Sequence, residues 1–283
     1  MQQKIFHLHA LSALHVGTGQ SVGVVDLPIA RARATNLPLV PGSAVKGVLR
    51  DDLPLANESD RKTLFGPESM ADGETHAGAL AVGDANLLIL PIRSFNGVVA
   101  FATCPFILNR YARDLGVKPA LPLLKNEQAA VAKASVLTSG NKVLLEDLDL
   151  DALLGETATT AWAERIAQSL YPEQAEWQDE FTKHFAILPD PVFSFLADTA
   201  TEIRARIRID KETRTVATGA LWYEENLPAE AVLWGVIGVS RSRIKGDKSS
   251  AEDLATLLPT KEVALQIGGK HTVGRGLCRF LLA

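Results

Sequence analysis

The sequence predicts an α+β fold, one sheet-based core carrying insertions, and three observations carry that prediction. Strand-like and helix-like stretches alternate along the chain without a sustained βαβ series. Two of them, 203–209 and 215–223, flank a turn at 210–214 and have the alternation of a β-hairpin. A length of 283 residues, 47% of them hydrophobic and 22% charged, supports a substantial core with the composition of a globular protein.

The elements follow in order. Residues 4–13 form a first strand, in which Phe6 and Leu8 alternate with His7 and His9. The glycine-rich stretch 17–23 cannot continue it and is a loop. Residues 42–53 read as a helix with Ser43 as its N-cap. Strands are expected at 81–90 and 98–102, then a helix at 105–115 that begins on Pro105. Residues 116–160, interrupted by Pro119, Pro122 and a turn at 138–140, read as an irregular insertion, and 161–170 as a helix. In the hairpin, Arg204, Arg206 and Arg208 share one face, and Ala205, Ile207 and Ile209 the other. A strand at 263–267, a glycine loop and a strand at 277–282 close the chain. The organisation expected is a single domain over 1–283, with an insertion at about 116–160 and a hairpin at about 203–225.

Composition narrows the function. Net charge is −4 and the pI near 5.9, which argues against a protein that coats itself in nucleic acid. Phosphates respond to charge within a Debye length of roughly 8–10 Å, so local clusters matter more than the total. Four exist: Arg31 and Arg33; Arg204, Arg206, Arg208, Lys211 and Arg214; Arg241, Arg243, Lys245 and Lys248; and Lys270, Arg275 and Arg279. The first nine residues lack the apolar run of a secretory leader, and the apolar windows at 87–92 and 231–239 are too short to span a bilayer. Cys104 and Cys278 can build neither a disulfide framework nor a zinc site unaided. A cytoplasmic protein with no membrane contact is expected.

Three segments have the chemistry of anion binding. On the helix at 42–53, Ser43, Lys46 and Arg50 fall in one sector, opposite Val45, Val48 and Leu49. An anion along that face would relieve the repulsion of Lys46 and Arg50, although a solvated basic face has the same pattern. The loop 268–276 holds Gly268, Gly269, Gly274 and Gly276, and can aim several N–H groups at a phosphate beside Lys270, Thr272 and Arg275. The arginine face of the hairpin can track a backbone, with Trp222 and Tyr223 on the return strand for base stacking. Those arginines could equally pair with Glu202, Asp210 and Glu212. For chemistry, Asp26 in a glycine-flanked loop and His15 could perform acid–base work or hold a divalent ion, with Glu224 and Glu225 as candidate partners. From spacing alone, an Asp that caps its own loop serves equally well. The acidic run Glu146, Asp147, Asp149 and Asp151 lacks calcium-loop spacing and reads as a solvated face.

Taken together, LHVGTG at 14–19, VDLP at 25–28, LPLVPGSAVKGVLR at 37–50, TCPF at 103–106, ARIRID at 205–210, GALWYEE at 219–225 and the loop 268–276 resemble the RAMP superfamily of CRISPR-associated proteins. Within it, the spacing of His15, Asp26 and the WYEE segment is similar to the backbone subunits of type III-B effector complexes. The resemblance implies a modified ferredoxin-like, RRM-like palm with a thumb hairpin. Copies would line up along a guide RNA with other subunits of the complex, bind complementary single-stranded target RNA and cut it. Helix 43–50 and the terminal glycine loop would hold guide phosphates. Asp26 would be needed for cutting, assisted by His15 and the Glu224/Glu225 segment, with a divalent metal such as Mg or Mn. A purely structural guide-binding backbone, and an endonuclease that trims guide precursors, remain the alternatives. Asn226 stands where the family more often has an aromatic residue.

Overall fold

The computed structural model of the chain describes residues 1–21, 25–68, 75–118 and 120–283, so Gly23 of the first glycine loop and Pro119 lie outside the described residues. Strand β1 (Gln2–Ala10) is followed by the short β2 (Leu39–Val40), helices α1 (Gly42–Asp52) and α2 (Glu58–Phe65), and strands β3 (Leu80–Val82), β4 (Ala85–Arg93) and β5 (Val99–Thr103). Helix α3 (Pro105–Leu115) leads into β6 (Gln128–Val131), β7 (Thr138–Ser139), β8 (Lys142–Leu145) and β9 (Leu148–Leu154). Helices α4 (Thr157–Leu170) and α5 (Ala175–His184), strand β10 (Phe185–Ile187) and helix α6 (Asp190–Thr199) precede the hairpin strands β11 (Glu202–Ile209) and β12 (Val216–Asn226). Strand β13 (Val232–Val239), helix α7 (Ala251–Ala255), and strands β14 (Val263–Gln266) and β15 (Leu277–Leu282) complete the chain.

Among the described residues, thirteen strands form one sheet, in the order β14-β15-β1-β13-β4-β5-β10-β6-β9-β8-β7, with β2 added to β4 and β3 to β13. Its pairings are antiparallel except β5 with β10 and β6 with β9. Phe6, Leu8, Leu88, Leu90 and Trp234 are fully buried, which places the core against the central strands. This is the mixed α+β architecture expected. The second sheet is the hairpin alone, β11 with β12.

Helix α3 begins and ends where its chemistry dictates. Pro105 opens it, Asp190 Oδ1 accepts the Phe106 N–H at 2.9 Å, and Gly116 closes it in the left-handed conformation. Three expectations need correction. Ser43 is not a cap: α1 begins at Gly42 behind Pro41, and Asp84 Oδ1 takes the Gly42 N–H at 2.8 Å from another segment. The stretch 81–90 is two strands broken at Gly83 and Asp84, because β3 pairs with β13 beyond the point where β4 leaves it. Residues 116–160 are not irregular, since β6 to β9 extend the main sheet. Leu148 and Leu150 alternate with Asp149 and Asp151, so the acidic run is largely the solvent side of β9, where Asp151 pairs with Lys142 at 2.6 Å.

Candidate active site and nucleic-acid interface

The site lies where the hairpin leaves the body. Its outer part is exposed, and its root, Glu224 to Asn226, is buried. At the root, Tyr223 faces Ala205 across the hairpin, and its backbone is bonded on the other side by residues 26–27. Tyr223 N–H donates to Asp26 Oδ2 at 2.7 Å, Leu27 N–H to Tyr223 O at 3.1 Å, and Glu225 N–H to Leu27 O at 3.0 Å. The Asp26 loop thus adds a short parallel bridge to β12, which fixes an exposed carboxylate. Asp26 lines a cavity of about 440 Å³ together with Leu27, Gly219, Leu221, Trp222 and Lys270.

Glu224 sits beneath that cavity, fully buried. Its Oε1 accepts the Trp222 indole N–H at 2.9 Å, and lies 3.1 Å from Lys270 Nζ and 3.8 Å from Arg206 Nε. Burial alone would push its carboxyl up. The Trp222 N–H, Lys270 and Arg206 outweigh burial and hold it below the usual carboxylate range. Arg204, Arg206, Trp222 and Glu224 share one face of the hairpin, because Arg204 is opposite Glu224 and Arg206 opposite Trp222. Tyr223 is on the other face with Ala205, so a single aromatic residue, Trp222, shares the arginine face of β12. Arg204 contacts Glu202, and Arg208 is exposed.

The terminal glycine loop supplies the facing wall. Gly268 has φ +88°, and a Cβ there would meet His15 O at 2.2 Å; Gly276 has φ +77° and would meet Ile267 O at 2.0 Å. Glycine is therefore required at both ends. Between them Lys270 adopts φ 66°, residues 271–273 make one 3₁₀ turn, and Thr272 and Gly274 are exposed. Arg275 is buried near Arg204 and Arg206; burial first, then the Arg204 guanidinium, lowers it from its ordinary value. His15 lies under this loop. It is buried, its Nδ1 is 2.7 Å from Glu225 O, and its own carbonyl accepts the Gly269 N–H at 2.9 Å. Glu225 is engaged on both oxygens, by Arg31 Nη2 at 2.5 Å and the Ile29 N–H at 3.0 Å. Arg31 also reaches Asp198 Oδ1 at 3.0 Å, which ties the first loop to α6.

Helix α1 packs on β14, the strand that runs into the glycine loop. Lys46 Nζ donates to Leu80 O at 2.9 Å and Arg50 Nη2 to Gly66 O at 2.7 Å, while Ser43 is exposed. Burial, then Arg50 and Arg243, lowers Lys46 from its ordinary value. Three cations, Lys46, Arg50 and Arg243, thus lie close together on this face.

A model of the RAMP superfamily matches residues 7–279. The chain belongs to the RAMP superfamily. It is 37% identical, over 100% of its length and 96% of the relative's, to the CRISPR system Cmr endoribonuclease Cmr4 of Pyrococcus furiosus. To the CRISPR system CMR subunit Cmr4 of Saccharolobus solfataricus it is 24% identical, over 97% of this chain and 94% of the relative. Among solved structures, oligomeric Cmr4 from Pyrococcus furiosus superposes with a TM-score of 0.73 at 28% identity, covering 100% of this chain and 98% of that one. A chain of the type III-B Cmr-beta complex bound to cognate target RNA shares the fold, with a TM-score of 0.74 at 20% identity over 100% and 97%.

Of the residues singled out in this RAMP chain, the fold brings Asp26, Trp222, Glu224, Lys270, Arg206, Arg204 and Arg275 into one region. His15 and Glu225 stand behind it, and Lys46 and Arg50 belong to a separate basic face with Arg243. Arg31 was legible only as part of a basic pair; its tie to Glu225 spans 194 positions and has no local signal. Among the described residues no group of three or more His, Cys, Asp or Glu could hold a metal ion. Among the described residues that line the cavity, Asp26 is the one carboxylate, and it is exposed.

Proposed function

We propose that this chain is a backbone subunit of a type III-B CRISPR effector complex, which binds guide RNA, lines up with copies of itself and other subunits, and cuts complementary target RNA. The observation that carries the reading is the Asp26 carboxylate, anchored through Tyr223 N–H at the root of a free-standing hairpin and facing a cavity it shares with Lys270 and Trp222. The full-length similarity to a Cmr endoribonuclease supports it.

On this reading the sheet around β1, β13 and β4 is a modified ferredoxin-like palm and β11–β12 is the thumb. Ser43, Lys46, Arg50 and the loop 268–276 line the guide path. Arg204, Arg206 and Arg208 follow a phosphate backbone, and Trp222 stacks on a base beside the cut. The hairpin splays the target strand so that a ribose 2′-OH lies in line with its own 3′-phosphate. Asp26 takes the proton of that hydroxyl, the 2′-oxygen bonds to phosphorus, and the bond to the 5′-oxygen breaks. The leaving oxygen takes its proton from solvent in the open cavity. Lys270, held by Glu224, stabilises the charge that develops on the phosphate oxygens. His15 and Glu225 position the two loops. A divalent ion, magnesium or manganese, would be held by Asp26 with RNA phosphate and water, and would supply further neutralisation of the scissile phosphate.

The test is an assembled complex with a guide of known sequence and an end-labelled complementary RNA. Cuts at regular intervals, leaving 2′,3′-cyclic phosphate and 5′-hydroxyl ends, are expected. An intact complement on a fully assembled complex would assign the chain to a purely structural backbone, and cleavage of guide precursors by the isolated chain would make it a processing enzyme.

A further inference from the structure

The hairpin and the terminal glycine loop meet at a single oxygen. Trp222 and Glu224 are two apart on β12 and share a face, so the indole N–H reaches the carboxylate of its own strand. Glu224 Oε1 accepts that N–H at 2.9 Å and lies 3.1 Å from Lys270 Nζ, with Arg206 Nε further off at 3.8 Å. The other oxygen, Oε2, is buried and has no hydrogen-bond partner among the described residues. Nothing at Oε2 therefore fixes how the carboxyl plane is turned, and its orientation rests on what Oε1 holds.

The donors at Oε1 differ in stiffness. Lys270 and Arg206 carry their charges on long stems, and an ammonium can present any of three N–H bonds. The indole N–H sits on a rigid ring system with two side-chain torsions, and Trp222 is half-buried. The cations supply attraction, and the indole supplies direction. Lys270 itself starts from a fixed backbone: the Arg275 N–H donates to Lys270 O at 3.3 Å, and the adjacent Gly269 N–H to His15 O at 2.9 Å. Its flexible stem joins that loop to the cavity, and Glu224 is where the end of the stem is tied.

We propose that Trp222 is a positioning residue for the cut: its indole N–H orients Glu224, and Glu224 in turn sets where the Lys270 ammonium stands beside the cavity. Ring face and N–H edge then do separate tasks, the one contacting a base and the other placing a cation. The proposal rests on the proposed function, in which Lys270 stabilises charge on the scissile phosphate, and deepens it with a group that acts on the rate through Lys270. Small displacements matter here, since misplacing a group by about 1 Å can cost on the order of 100-fold in rate.

The test removes the N–H and keeps an aromatic ring. Replacing Trp222 with 3-benzothienylalanine puts sulfur where the N–H stood, and Trp222→Phe is a second arm; either arm that assembles carries the test. In assembled complexes with saturating target, single-turnover cleavage should slow about 10- to 100-fold, while target affinity of the benzothienyl variant stays within about threefold of wild type. The same replacements are then made in a Lys270→Ala background. There the loss should shrink to less than about twofold, because the group acted upon is gone. Cleavage within about twofold of wild type in the Lys270 background overturns the proposal. So does an equal loss with and without Lys270, which would make the N–H a support of the fold alone. A loss confined to target affinity overturns it too, leaving the ring face as all that Trp222 contributes. A wild-type complex that leaves complementary RNA intact, or full cleavage by Lys270→Ala, refutes the parent reading instead.

Discussion

Replacing Asp26 with Asn removes a charge and leaves a shape. The amide oxygen can still accept the Tyr223 N–H that Asp26 Oδ2 takes at 2.7 Å, so the bridge between residues 26–27 and β12 should survive. A hydrogen bond to a charged acceptor contributes about 1.5–3 kcal/mol and a neutral one about 1, so folding should lose on the order of 1 kcal/mol, less for a group this exposed. An amide cannot take a proton at neutral pH. Loss of a positioned base costs about 100- to 10,000-fold, which is about 3–5 kcal/mol of barrier at 1.36 kcal/mol per tenfold. The assay is single-turnover cleavage of labelled target by complexes of verified composition, with guide and target affinity measured in parallel. Affinity should hold or rise, since a negative charge beside phosphates has gone. Cleavage by Asp26→Asn within threefold of wild type, in an intact complex, would refute the reasoning and leave Asp26 as a loop residue.

Three further outcomes are expected. Lys46→Ala with Arg50→Ala should flatten the dependence of log guide affinity on log salt by about 1.4, at about 0.7 per lost single-strand phosphate contact; an unchanged slope would reduce both residues to their carbonyl bonds at Leu80 and Gly66. Glu225→Ala should cost about 3 kcal/mol in urea unfolding, because it removes one of the two carboxylates on the half-buried Arg31 and the acceptor of the Ile29 N–H, whereas a loss below about 1 kcal/mol would contradict a clamping role. His7 is buried against Tyr111 Oη at 2.7 Å, and burial lowers it to about 4. The unfolded chain therefore binds the extra proton between pH 6.5 and 4, so the contribution of His7 is complete above pH 6.5 and falls by on the order of 3 kcal/mol toward pH 4. Melting midpoints across that range should drop more steeply for wild type than for His7→Gln, and equal slopes would contradict the assignment.

Elements with a local signature were legible in the sequence. Pro105 and Gly116 bracket α3, and the alternation of Arg204, Arg206 and Arg208 about the Asp210–Arg214 turn marks the hairpin. Asp210 Oδ1 accepts the Glu212 and Thr213 N–H groups, which is turn chemistry a sequence displays. What escaped was long-range. The strands β6 to β9 looked irregular because each is short and its partner distant, as when Gln128–Val131 pairs with residues 151–154. The cap of α1 comes from Asp84, 42 positions away, where no local rule looks. In the site, residue identity singled out Asp26, Lys270 and Trp222, and only folding put them on one cavity. The same folding turned Glu225 onto Arg31 and the Ile29 N–H, and His15 onto the Glu225 carbonyl, while Glu224 turned toward Trp222 and Lys270, a division that spacing could not show.

The bond from Tyr223 N–H to Asp26 has a mechanical side. The carboxylate hangs on the main chain of β12, so it is indifferent to which side chain stands at 223 and sensitive to how the hairpin leans. A rigid tilt of β11–β12 about its buried root carries Tyr223 along, and Asp26 and Leu27 with it. Blade and handle are one piece. On the proposed function, a target strand that fails to hold the hairpin in its working posture would therefore also carry Asp26 away from the hydroxyl it is proposed to deprotonate.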